Sequence, residues 1–249
     1  MSWKAIAFTT STVVLTTLAA SYATPVRALT LNYSDATWGE VDGGENVNTY
    51  TSGGEKQVHW GTPVNLDLGQ SGLGFTGVGE TEIEPNIVFE LGQLRHFNNP
   101  ILGGTAASAA DLSIDLSFAE IGLQKFDFTL EIDETTNSGI CEYPSEPGNP
   151  CADAISWNNA FSSHEFSYQG GEYNLQLIGF SNSPGGSIKN QFISQEGGTS
   201  SAHLFATINQ LSEPEPVPEP ATGIGLAVLG MYFVRSFRKH AANNKDEEL

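Results

Sequence analysis

Phe126-Asp-Phe-Thr-Leu-Glu-Ile132 alternates apolar and polar side chains at every step. Successive side chains of an extended strand point to opposite faces, so Phe126, Phe128, Leu130 and Ile132 share one face while Asp127, Thr129 and Glu131 share the other. This is the pattern of a half-buried strand. Leu112-Ser-Ile-Asp-Leu-Ser-Phe118 repeats it upstream; Tyr173-Asn-Leu-Gln-Leu-Ile-Gly-Phe180 and His203-Leu-Phe-Ala-Thr-Ile208 repeat it downstream. Asn86-Ile-Val-Phe-Glu-Leu91 reads as a more buried version. Turn signals at Asp42-Gly-Gly, Ser52-Gly-Gly, Pro184-Gly-Gly and Glu196-Gly-Gly punctuate the runs at the spacing of a sandwich. Between Leu29 and Leu211 no apolar stretch at helical spacing is long enough to make a helix. The expected fold is all-β: a two-sheet, jelly-roll-like β-sandwich over residues 29–211.

The chain has 249 residues, enough for one all-β domain of up to about 200 residues with short appendages and too few for two large domains. Its charge excludes a nucleic-acid binder. Between Leu29 and Pro216 stand 25 acidic side chains against four basic ones, Lys56, Arg95, Lys125 and Lys189, a formal net charge of −21. Phosphate recognition needs clustered Lys and Arg, whereas this field repels polyanions and favours divalent cations and basic surfaces.

Both ends read as addresses. Residues 1–28 are expected to be an export signal: Lys4 gives a thin positive start, Ala5 to Ala20 an uncharged, Thr-rich apolar stretch, and small residues follow. The small-x-small rule fits cleavage after Ala23 and after Ala28; the strand-like run beginning at Leu29 favours Ala28. A retained membrane helix is the alternative, against which the stretch falls short of the roughly 20 residues a span requires. At the other end, a Pro/Glu linker over residues 212–220 leads into an uncharged apolar run from Ala221 to Val234 and a basic cluster of Arg235, Arg238 and Lys239. Fourteen residues rise roughly 21 Å against a hydrocarbon core about 30 Å thick, so the expected transmembrane segment, within 221–240, borrows Ser236 and Phe237. The basic cluster would stay on the cytoplasmic side and leave the acidic body outside. An ordinary C-terminal anchor on a Pro-rich stalk is the alternative.

Val217-Pro218-Glu219-Pro220-Ala221, the glycine-containing apolar run and Arg-Ser-Phe-Arg-Lys239 together resemble the PEP-CTERM sorting signal of Gram-negative bacteria. The resemblance implies recognition by an exosortase, a membrane transpeptidase-like enzyme, and delivery to the cell surface or extracellular matrix. It covers about 25 residues, and the polar, acidic tail over residues 241–249 is longer than the basic endings usual in that class. The final Asp-Glu-Glu-Leu249 superficially looks like a retention signal of the endoplasmic reticulum, but would lie on the cytoplasmic side.

Cys141 and Cys151 are the only cysteines, and Pro- and Gly-rich sequence separates them. In an exported chain they are expected to pair, and closing a loop of about 11 residues contributes roughly 2.5 to 3 kcal/mol on the chain-entropy account. A reactive thiol is disfavoured, because Glu142, Glu146 and Asp153 nearby would raise its pKa.

Gly69-Gln-Ser-Gly-Leu-Gly-Phe75, Leu91-Gly-Gln-Leu-Arg-His-Phe-Asn-Asn-Pro-Ile101, Asn149-Pro-Cys-Ala-Asp-Ala-Ile155, Leu177-Ile-Gly-Phe180 and Gln191-Phe-Ile-Ser-Gln-Glu196 together resemble the choice-of-anchor K domains, the THxN family of PEP-CTERM proteins. The naming motif stands here as Arg95-His96-Phe97-Asn98, with Arg in the Thr position. The resemblance implies a surface or secreted protein and assigns no chemistry. Alternation puts His96 and Asn98 on one strand face, as a ligand pair would be; the structural alternative, bonds to nearby backbone that set a turn before Pro100, is favoured.

No other pattern demands catalysis or a resident cofactor. The body histidines lack zinc-ligand spacing, Gly69-Gln-Ser-Gly-Leu73 fails as a nucleophile elbow, and phosphate-loop motifs are absent. Glu80, Glu82 and Glu84, or Asp127, Glu131 and Asp133, would suit calcium, though neither segment matches an Asp-rich calcium loop and solvated strand faces explain both. Trp38, Trp60, Trp157 and Tyr168 could stack on sugar rings or pack in the core, the latter favoured. The expected function is a non-enzymatic structural or binding module at the surface or in the polysaccharide matrix. A carbohydrate- or calcium-binding surface protein is the alternative, and a secreted hydrolase the third reading.

Overall fold

A computed structural model describes residues 28–212 apart from Ser138 and Asn159. The expected export signal, the sorting motif Val217 to Ala221, the apolar run and the basic cluster Arg235, Arg238 and Lys239 lie outside the described residues.

The described residues form thirteen strands and no helix. One sheet has the spatial order β12 (Phe192–Ser194), β9 (Asp153–Trp157), β8 (Gly122–Asp133), β7 (Ala109–Phe118), β1 (Leu29–Asp42) and β5 (Thr81–Ile83). The other runs β10 (Phe161–Tyr168), β11 (Gly171–Ser181), β13 (Gly198–Ser212), β6 (Val88–Asn98), β4 (Ser71–Gly77), β3 (Glu55–Trp60) and β2 (Asn48–Ser52). Every neighbouring pair is antiparallel. The described residues are therefore all-β and sandwich-like, with two sheets enclosing one apolar layer.

The alternating stretch Phe126–Ile132 is the inner part of β8. Phe126, Phe128, Leu130 and Ile132 are buried, and Asp127, Glu131 and Asp133 are exposed. β7 lies beside it, with Leu112 opposite Phe128 and Ile114 opposite Phe126. From the facing sheet, Leu73, Phe75, Leu94, Leu175, Leu177, Leu204 and Ile208 complete the core. Each fully buried side chain of this size is worth roughly 1.5–3 kcal/mol relative to exposure, so the even spacing of these residues is what holds the sheets together. The Ser52-Gly-Gly turn joins β2 to β3: Gly53 and Gly54 have φ of 60° and 90°, which lets two residues reverse a twisted hairpin.

Asn86–Leu91 is not a buried strand: Asn86 has φ 64°, Ile87 and Val88 are 55% and 45% exposed, and burial begins at Leu91. The segment starts in a turn, where the Ile87 amide bonds the Glu84 carbonyl, and only then enters β6. β6 continues through Asn98, so Arg95-His96-Phe97-Asn98 is strand along its whole length.

Candidate functional site

The ends of six strands meet at one end of the sandwich. Trp60 ends β3, Asn98 ends β6, Asp153 opens β9, and Ser194 ends β12; Glu134 follows β8 directly, and Glu196 precedes β13. The ladders enforce the meeting: Asp153 pairs with Ser194, Asp133 with Ala154, and Asn98 with Gly198.

Asp153 is completely buried. Its Oδ1 accepts bonds from the Thr135 amide at 2.7 Å and the Thr135 hydroxyl at 3.0 Å, while Oδ2 has no partner. Asn98, also completely buried, donates from Nδ2 to the Ser194 carbonyl at 3.1 Å and leaves Oδ1 unpartnered. The Ser194 hydroxyl, Glu134 Oε1 and Glu196 Oε1 are buried without partners as well. The Trp60 indole N–H acts on the Glu134 carboxyl yet lies outside hydrogen-bond geometry.

These carboxyl groups sit close enough to feel one another. Burial, reinforced by the charges of Asp153 and Glu196, pushes Glu134 well above the carboxylate range. Burial also raises Asp153, against the bonds from Thr135 that favour its charged form. Glu196 is pushed up to about 7 by burial and by Asp153. No Lys or Arg pairs with the three among the described residues: Arg95 holds Glu55 and Lys56 holds Asp35. Buried carboxylates without a countercharge favour the protonated form.

His96 lies fully buried with both ring nitrogens unpartnered, and burial holds it down to about 3, hence neutral. Its ring stacks on Trp60 with centroids 6.4 Å apart. His96 and Asn98 therefore do share the inner face of β6, as alternation predicts. The expected bonds to nearby backbone are not made: Asn98 reaches across to the other sheet, and His96 makes none. Arg95, in the Thr position of the naming motif, points outward and clasps the Glu55 carboxylate through Nε and Nη2.

The Cys141–Cys151 bridge is formed, with Cα atoms 5.1 Å apart. It closes the loop between Glu134 and Asp153. Glu146 N–H donates to Gln195 Oε1 at 3.0 Å, and Gln195 Nε2 donates to the Pro144 carbonyl at 3.1 Å, fastening that loop to the one carrying Glu196. The staple thus braces the segments that bring all three carboxylates.

The remaining candidates separate. Glu80, Glu82 and Glu84 are exposed, as are Asp127, Glu131 and Asp133. Trp38 and Trp60 are buried, and Trp157 and Tyr168 pack against the core. A shallow groove of about 280 Å³ lies over Gly39, Asp111, Ser113, Asp127 and Thr129, but Thr129 donates to Asp111 and Ser113 to Asp127. The outer face of the second sheet carries a different arrangement: Tyr50, 49% exposed, stacks on His59 at 4.9 Å, the Phe97 ring lies tilted against His59 at 4.7 Å, and the Arg95 guanidinium lies 4.3 Å from the Phe97 ring centre. Gly72 and Gly74 of β4 leave room for His59 and Glu55 to lie across the strand; a Cβ on either would overlap them.

Glu134, Asp153 and Glu196 were not singled out by the sequence as a site, since only tertiary pairing brings them together. Among the described residues, no three His, Cys, Asp or Glu side chains already stand at metal-ligand spacing. No protein-family model matches the chain, and no curated protein matches it.

Proposed function

We propose that this is an exported surface or matrix protein, sorted through a PEP-CTERM and exosortase-type signal, whose acidic body is a non-enzymatic structural or binding module. One observation carries the address: an export-type stretch at one terminus and, at the other, Val217-Pro-Glu-Pro-Ala221, an apolar run and Arg235, Arg238 and Lys239 in that order. The Cys141–Cys151 bridge supports an oxidising destination weakly. The choice-of-anchor K resemblance and the jelly-roll-like class are part of the same reading; the passage of the chain between sheets from β4 to β5 to β6 supports the latter.

The test is the intact mass of the mature protein from cell-surface and medium fractions, with both ends sequenced. A species starting near Leu29 and ending near Pro218 to Ala221 is expected. Retention of the tail through Leu249 overturns the sorting step and leaves an anchored ectodomain.

A carbohydrate-binding role is the second reading, favoured by the exposed Tyr50 ring beside Gln57, Arg95 and Glu55 on the outer face of the second sheet. Aromatic faces with adjacent planar polar groups suit sugar rings. Loss of polysaccharide retention on Tyr50→Ala would support it, and unchanged retention would remove it.

A further inference from the structure

Glu134 Oε1, Asp153 Oδ2, Glu196 Oε1, Asn98 Oδ1 and the Ser194 hydroxyl are five buried oxygens from five strand ends, none with a hydrogen-bond partner. Native proteins rarely leave one such atom unpaired, and five in one neighbourhood mark a place built for something else. Asn98 bears on the Asp153 carboxyl, and the Trp60 N–H on that of Glu134, so these completely buried side chains are directed into the cluster. All five atoms are oxygens.

We propose that these five oxygens form a calcium site. It deepens the binding-module reading and rests on it only for calcium being met outside the cell. Calcium takes six to eight oxygens at 2.3–2.6 Å in irregular arrangements, mixing carboxylates with amide, hydroxyl and carbonyl oxygens. The Glu134 and Asp153 carboxyl groups lie within reach of one another with Glu196 beside them, and calcium accepts such an irregular arrangement where zinc needs a compact tetrahedron and magnesium a strict octahedron. A shell in which Asn98 and Ser194 stand among the acidic groups meets calcium's requirement. Glu134 is only partly buried, the least enclosed of the three. The charge balances too: two positive charges offset most of three carboxylates that lack a protein countercharge. Loops clamped by the Cys141–Cys151 staple hold the donors near the positions they would take.

The experiment uses the full chain in detergent micelles, stripped of metal by chelating resin. Calcium titrated by calorimetry is expected to show one saturable site with a Kd of about 0.1–1 mM, the range of extracellular modules. Terbium, as a calcium stand-in, is expected to luminesce on tryptophan excitation through nearby Trp60, and calcium is expected to displace it more readily than magnesium. Glu196→Gln, close in volume, is expected to weaken binding at least about tenfold. Glu82→Gln, on an exposed face, is expected to leave it unchanged. Absence of saturable heat and terbium emission overturns the proposal. So does binding that survives Glu196→Gln but is lost on neutralising Glu80, Glu82 and Glu84 together, and so does equal displacement by magnesium. None of these failures touches the sorting reading, which the terminal sequences decide separately.

Discussion

The Asn98 side-chain amide donates to the Ser194 carbonyl across 3.1 Å, joining the end of β6 in one sheet to the end of β12 in the other. Both residues are completely buried. Water does not reach that carbonyl to replace the bond, so Asn98→Leu, similar in size, is expected to lower unfolding stability by about 1–3 kcal/mol. Urea denaturation checks this: a lower midpoint at unchanged slope is expected. An unchanged midpoint would mean that the bond between the sheets contributes nothing.

The disulfide carries a second expectation. Replacing both cysteines (C141A/C151A) frees the loop in the unfolded chain and is expected to cost about 2.5–3 kcal/mol. For a domain of this size that corresponds to a Tm lower by roughly 5–12 °C in differential scanning calorimetry. The folded loop keeps other ties, among them the Ala152 amide on the Ser145 hydroxyl at 2.8 Å and the Tyr143 hydroxyl on Asp133, so the far-ultraviolet spectrum is expected to stay native. Loss of that spectrum at room temperature would show the bridge to be a condition of folding.

Two glycines of β4 separate close approach from mere proximity. A Cβ on Gly77 would overlap the Ser34 backbone carbonyl, where β1 and β4 cross: Ser34 N–H bonds the Val78 carbonyl at 3.0 Å, and the Ser34 hydroxyl bonds the Leu91 carbonyl at 2.7 Å. A Cβ on Gly74 would meet the far end of the Glu55 side chain, which can move at the expense of its bonds to Arg95. Gly77→Ala is therefore expected to cost about 1–3 kcal/mol and Gly74→Ala less than about 1 kcal/mol. Chemical denaturation of both variants checks the order, and equal costs would contradict it.

Much of the fold was legible because strand alternation is local. Phe126–Ile132 shows its buried face in seven consecutive residues, and the same rule places His96 and Asn98 inward with Arg95 outward. The disulfide was legible because two cysteines allow one pairing. Asn86–Leu91 misled because composition suggested burial at a point where the chain is still turning at an edge. The carboxylate cluster was not legible at all: Glu134 and Glu196 sit just outside strands and Asp153 opens one, and the neighbours of all three are set by long-range ladders. Each in isolation is an ordinary acid in an acidic chain.

The buried titratable groups impose opposite pH dependences. His96 is held down to about 3 from an ordinary 6.5, so between those values the unfolded chain takes up a proton that the folded chain refuses. Its contribution is full above about 6.5 and is lost as the pH falls. Glu196 is raised to about 7 from 4.5, so the folded chain holds a proton that the unfolded chain has released. Its contribution is full below 4.5 and is lost as the pH rises through 7; Glu134 and Asp153 shift in the same direction. Between 4.5 and 6.5 the two slopes oppose each other. In chelator, stability is therefore expected to peak in that window, falling on the alkaline side by up to about 1.4 kcal/mol per pH unit for each proton released and on the acid side as His96 is forced to charge. Denaturant midpoints measured across the range check the shape. Glu196→Gln should flatten the alkaline limb and leave the acid limb in place, while His96→Gln should flatten the acid limb alone. A profile that rises steadily from pH 6.5 to 8 would show that these carboxyl groups are ionised in the folded protein and that something other than a proton balances their charge.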